Sequence, residues 1–350
     1  MSSRTTRRFA VTVAALAALF ASAPPIAAET GPSIWARARY PEIDERLQVL
    51  RRAEALMLKY RALQRRRRDE REVAMGTLYL RDARKVLEEG GAASSRDATL
   101  RHRLAEVRFE LHDYAGAAAL YESIVRAQTP APMRESAFTD LAICYARLDR
   151  HDEEIHAYSE ALALQSHPSR RATLLANRAE AYMFKGNLTA AIEGYRAALA
   201  LLSPMDLLRF GATTLWGLGV ALDRSGDLDG GIEAILLART YDPQDKQLAA
   251  GSWFYVPEHD AHWYKALGFW TAARRASLGA VRAEAIGRAV TAWQDYIASA
   301  PAADPWLPLA KARLKACEKE RDLARKKARS PRKPAGGSPD ALDAAEENAP

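Results

Sequence analysis

A chain of 350 residues, 48% hydrophobic and 27% charged, is long enough to bury a large core or to stack several repeats. The first 28 residues hold three arginines and no acid, so without them the formal net charge falls from +7 to +4, too mild at this length to imply nucleic acid. Two cysteines, Cys144 and Cys317, cannot make a disulfide framework. Cys144 reads as a small core residue, with a Cys144–Cys317 bridge as the alternative.

Residues 1–28 read as a secretory signal peptide. Arg4, Arg7 and Arg8 give a basic start, Phe9 to Ala23 an apolar stretch, and Ile26-Ala27-Ala28 a small-residue cleavage site before Glu29. An uncleaved anchor is the alternative. Phe9 follows Arg7-Arg8 one residue too early for the usual twin-arginine pattern. No later run of 18 apolar residues occurs, so no transmembrane span is expected in the mature chain. The expected location is therefore periplasmic or secreted, and the Arg- and Ala-rich composition leans towards a bacterial source.

Residues 29–97 read as a linker with Pro32 and Pro41, then two capping helices. Ile43, Leu47, Leu50, Met57 and Tyr60 mark the first; Val73, Leu80, Ala83 and Leu87 mark the second, which stops at Gly90-Gly91. The run Arg65-Arg66-Arg67-Arg68 between them is a solvated helix face neutralised by Asp69, Glu70 and Glu72, or else a patch for acidic partners or lipid heads.

From Arg101 to Pro243 one helix-hairpin pattern occurs four times. Its anchor pairs are Ala105 with Tyr121, Ala142 with Tyr158, Ala179 with Tyr195, and Gly219 with Ile235, so successive units start 37, 37 and 40 residues apart. The small residue lets the second helix of each hairpin lie close to the first, and the tyrosines fill the space between hairpins. Gly186 and Gly226 suit the left-handed end of a helix, Asp113, Asn187 and Asp227 suit the cap of the next one, and Pro130, Pro168, Pro204 and Pro243 close the units. The pattern resembles the tetratricopeptide repeat. The expected fold is all-α, an α-solenoid of stacked antiparallel hairpins over residues 98–301, about five repeats with the last one altered. In that last unit His262 to Gly268 would end the first helix, and Ala289, Trp293, Tyr296 and Pro301 would belong to the second. Residues 302–329 then read as a solvated capping helix and 330–350 as a disordered tail.

No nucleophile–base constellation or phosphate loop is visible, so no enzyme and no cofactor are expected. Glu258-His259-Asp260-Ala261-His262 is the nearest approach to a metal motif, but a third firm ligand is missing. His151 and His156 miss the spacing of a zinc-protease motif. Trp253, Phe254, Tyr255, Trp263, Tyr264, Phe269 and Trp270 crowd the stretch 253–270. They read either as packing at the join of repeats four and five or as an exposed platform for a peptide or sugar ring.

The resemblance implies a scaffold that holds a protein or peptide along the concave face formed by the first helices. On that face Arg103, Phe109, Arg147, Asn177, Phe184 and Trp216 are the expected partner-binding residues. Family members that clamp a chaperone's terminal carboxylate do so with Lys, Asn and Arg. His102, Arg103, Glu106, Asp140, Thr173 and Asn177 do not reproduce that set, so chaperone-tail binding does not carry over. The expected function is an exported, non-catalytic scaffold for a protein of the cell envelope. The alternative is a glycan-binding or enzyme-accessory module built on 253–270.

Overall fold

The computed structural model describes residues 39–64, 69–127, 129–249 and 257–329. The expected signal peptide, the Arg65–Arg68 run, Trp253 to Tyr255 and the tail at 330–350 lie outside them. The described residues form helices without strands, in two compact units that divide between Ser95 and Arg96.

In the first unit α1 (Pro41–Gln64) packs antiparallel to α2 (Glu70–Glu89). Val49 lies beside Gly90 and the Tyr60 ring beside Gly76, close enough that a methyl group on either glycine would press on its neighbour. Ala53, Met57, Leu80, Ala83 and Leu87 form the buried seam. Val73, expected in that seam, is exposed on the first turn of α2. Gly91, with φ +70°, supplies the left-handed turn after α2, as the Gly90-Gly91 pair predicts.

The second unit is a row of hairpins: α3 (Ala98–Glu110) with α4 (Tyr114–Arg126), α5 (Ala131–Arg147) with α6 (His151–Leu164), α7 (Pro168–Phe184) with α8 (Leu188–Ala200), and α9 (Ala212–Arg224) with α10 (Leu228–Tyr241). It is an all-α solenoid. Each hairpin turns at one left-handed residue: His112 (φ +62°), Asp149 (+56°), Gly186 (+76°) and Gly226 (+99°). The following residue caps the second helix in three of the four. Asp113, Asn187 and Asp227 accept hydrogen bonds from the backbone N–H of Gly116, Ala190 and Gly230 at 2.9, 3.2 and 2.9 Å.

The anchors pack as their sizes require. Ala105, Ala142 and Ala179 are at most 1% exposed and Tyr121, Tyr158 and Tyr195 at most 3%. An ideal Cβ on Gly194 would lie 2.9 Å from that of Ala179, and one on Gly219 would lie 2.9 Å from the Gly231 carbonyl oxygen. Only small residues allow the paired helices to approach so closely. The Tyr195 ring reaches the next hairpin, where it meets Gly217. The wider spacing before the fourth unit is absorbed by a capped turn at Pro204–Asp206 and a π-helical turn at Leu207–Gly211 ahead of α9.

The fifth hairpin, α11 (Asp260–Arg275) with α12 (Gly279–Ser299), is longer than the fourth, with helices of 16 and 21 residues. The segment 262–268 opens α11 rather than ending it. Trp263 meets Trp293 and Tyr296 edge-on at 4.8 and 5.0 Å between ring centroids. Finally α13 (Leu307–Arg329) packs along α12 and buries Ala310, Cys317 and Ala324. Cys144 and Cys317 are buried and free, so the bridge does not form; burial pushes each thiol up to about 12. Among the described residues no helix is long and apolar enough to cross a membrane.

Candidate partner-binding face

Residues seven apart on a helix share a face, because two turns span slightly more than seven residues. Counted from the small anchor of each hairpin, the positions two before and five after therefore look the same way, opposite the close-packed seam. They carry Arg103 and Glu110 in α3, Asp140 and Arg147 in α5, Asn177 and Phe184 in α7, and Gly217 and Arg224 in α9. Arg103, Asn177, Arg147 and Phe184 thus share one face, as expected.

Phe109 and Trp216 do not share it. Phe109 stands four after its anchor, and its ring meets Tyr114 edge-on at 5.2 Å across the first turn. Trp216 stands three before its anchor and is 2% exposed. It packs near Tyr264 and Gly268 beneath the Arg239 guanidinium. Trp216 belongs to the packing of the stack, whereas Phe109 keeps part of its surface in solvent beside Tyr114, the ring over which Arg147 lies.

Along the first three hairpins the face is open and polar. His102 Nε2 lies 3.3 Å from both Ser136 Oγ and Asp140 Oδ2, and Arg103 is paired with Glu106. The Arg147 guanidinium lies 5.8 Å over the Tyr114 ring. Phe184 stacks on His151 at 5.4 Å, and His151 Nδ1 lies 2.8 Å from a Glu154 carboxylate oxygen. Asn177 is hydrogen-bonded to Tyr158. These bonds hold the side chains in place without covering them, and all four shared-face residues keep part of their surface in solvent.

At the fourth hairpin the same face is sealed. Arg224 donates to Asp260 at 2.7 Å, with side chains 0% and 3% exposed, and its guanidinium lies between the Trp263 and Trp306 rings at 4.7 and 5.0 Å. Arg313 of α13 reaches Asp223 at 2.8 Å, and Trp263 Nε1 donates to the other oxygen of Asp223 at 3.0 Å. Sequence reasoning missed Asp223, Asp260, Trp306 and Arg313, since their pairing spans 36 to 90 residues and leaves no trace in the repeat period.

Where the open part meets the sealed part, a cavity of about 70 Å³ lies between α7 and α9, lined by Thr173, Asn177, Glu180, Tyr195, Thr213 and Thr214. Burial, then the carboxylates of Glu154 and Asp260, push Glu180 up to about 8, against the opposing charge of Arg224.

The aromatic segment offers no platform in its described part. Trp263, Tyr264 and Trp270 are at most 3% exposed, and Phe269 is partly buried beside Arg288. His259 and His262 turn to different carboxylates, Asp304 at 2.8 Å and Asp295 at 3.7 Å, so they do not converge on one ion. No group of three or more metal-ligating side chains is found among the described residues.

Residues 172–201, which span most of α7 and all of α8, match the family model for the tetratricopeptide repeat. No curated protein matches the chain. Among solved structures it is similar to MamA, at 16% identity and a TM-score of 0.41 over 52% of this chain and 99% of that one. It is also similar to the C-terminal part of a TPR repeat-containing protein from Cytophaga hutchinsonii, at 14% identity and a TM-score of 0.43 over 75% of this chain and 99% of that one. With the matched repeat as its third hairpin and the same turn and anchor geometry in the hairpins beside it, the chain is an all-α solenoid carrying a tetratricopeptide repeat.

Proposed function

We propose that the protein is an exported, non-catalytic scaffold, which holds an extended segment of a cell-envelope or secreted protein along the face shared by α3, α5 and α7. One observation carries the reading: the same face is open over three successive hairpins and closed at the fourth. The open stretch presents arginine, amide and aromatic groups already positioned by their own hydrogen bonds and ring contacts, so little side-chain entropy is lost on binding. The glycan-binding alternative is not favoured, because the described aromatic rings it needs are in the core. Export rests on the character of residues 1–28.

A photo-crosslinking side chain at Thr173, exposed on the open face, should trap a discrete partner in cells; the same group at Glu160, exposed on α6, should not. Equal trapping at both sites would remove the face from consideration. Amino-terminal sequencing of the mature protein should begin near Glu29, and retention of residues 1–28 would contradict cleavage.

A further inference from the structure

Two carboxyl groups of the second unit meet opposite environments. Asp260 has a guanidinium at 2.7 Å. Glu180 has no hydrogen-bond partner among the described residues and lies on the wall of the cavity between α7 and α9. The one cation that acts on it, Arg224, is committed to Asp260 and held between two tryptophan rings. Thr214 faces the same cavity, is 7% exposed, and also has no hydrogen-bond partner among the described residues. Both side chains line the cavity, and their oxygens can accept a hydrogen bond from a donor that enters it.

Ala172, Ala176 and Leu202 supply the apolar part of the wall, and its polar part can accept hydrogen bonds. Glu180 when ionised only accepts hydrogen bonds, the threonine hydroxyls can accept, and Asn177 adds a carbonyl oxygen. Among the described residues no cationic side chain lines it. A volume of about 70 Å³ suits a compact group, since a single water needs roughly 10–15 Å³ measured in this way. A lysine ammonium is a compact point charge with three rotatable donors, whereas a guanidinium is a wide planar fork.

We infer that this cavity takes the side-chain ammonium of a lysine on the bound partner segment. The inference rests on the reading of the face shared by α3, α5 and α7 as the binding surface and specifies what one position of the bound segment must be. The lysine ammonium bonds to the Glu180 carboxylate and the Thr214 hydroxyl. Where Glu180 was protonated in the free protein, its proton leaves to solvent as the ammonium enters.

The test uses the full chain and an array of terminally blocked decapeptides with mixed flanks. The central residue is lysine, arginine or norleucine, and binding is measured at pH 6, 7 and 8.5. Lysine should be preferred over norleucine at least fivefold at pH 8.5, less at pH 6, and should exceed arginine. Glu180→Gln, which replaces the carboxyl by a neutral amide of the same shape, should bring lysine and norleucine to parity while the helical signal stays intact. Thr214→Val should lower the lysine preference in the same direction. Peptides bound without lysine preference, arginine equal to lysine, or a preference that survives Glu180→Gln would each overturn the inference and leave the scaffold reading standing. Failure of every peptide to bind would overturn both.

Discussion

The same two repeat positions have opposite fates in the first three hairpins and in the fourth. Two before and five after the small anchor, α5 and α7 carry Asp140, Arg147, Asn177 and Phe184, all partly in solvent. In α9 those positions are Gly217 and Arg224, and both are buried. The hairpins share their turns and anchors, so the local fold does not decide the difference. Gly217 lies against the Tyr195 ring of the preceding hairpin, and Arg224 is closed over by Asp260 and Trp306 from the elements that follow α9. A repeat fixes which way a side chain points; what lies in front of it is set elsewhere in the chain.

The comparison is sharpest in its carboxylates. Asp260→Ala would leave Arg224 buried between two rings with no counter-charge, at a cost of about 3–5 kcal/mol. Asp140→Ala on the open face removes a partly exposed partner of His102 and of the Tyr121 hydroxyl and should cost about 1–2 kcal/mol. Urea unfolding of both variants checks this, and similar losses would erase the distinction between sealed and open regions.

The seam opposite the face gives the next largest effect. Ala179→Leu must push α7 and α8 apart, where Gly194 already lies close against Ala179, at about 1–3 kcal/mol. Ala200→Leu, at an exposed position on the last turn of α8, should change the melting midpoint little. Equal shifts for the two would mean the anchor register is wrong.

Much of this was legible in the sequence, and the limits have physical causes. The anchors and the glycine turns could be read because each serves packing within its own hairpin. The turn at His112-Asp113-Tyr114 could be read from the sequence, whereas the left-handed turn at Asp149 was harder to read, since the residue is not glycine. Arg103, Arg147, Asn177 and Phe184 fall on one face by their position relative to the anchors. Trp216 does not join them, because an aromatic ring on the first helix of a hairpin reads the same whether it lines a groove or fills a joint. The burial of Trp216 depends on Tyr264 and Gly268, roughly a full repeat further along.

A smaller effect separates binding from stability. Arg147→Ala with Phe184→Ala should lower partner capture at least tenfold, because aromatic and arginine groups carry much of interface energy. Both side chains are partly in solvent, so the helical signal and melting midpoint should stay nearly intact. Capture that persists in the folded double variant would move the binding surface elsewhere.

A separate effect is in pH dependence. Glu180 in the folded protein titrates near 8, above its ordinary value of 4.5, so between those values the folded state holds the proton more tightly than the unfolded state. Its contribution to stability is therefore greatest below about 4.5, declines as pH rises towards about 8, and is then constant. Set against Glu180→Gln, the wild type should lose melting temperature from pH 5 to pH 8. Parallel profiles for the two proteins would place Glu180 in open solvent.

The division of the A-helix face is tested most directly by thiol labelling of the folded protein, with Cys144 and Cys317 replaced by alanine. Asn177→Cys and Val220→Cys lie on the A-helix side of adjacent hairpins, one partly exposed and the other 0% exposed. The account predicts that a maleimide modifies the thiol at 177 in the native state and leaves the thiol at 220 unmodified until urea unfolds the chain. Comparable native labelling at both positions would contradict it.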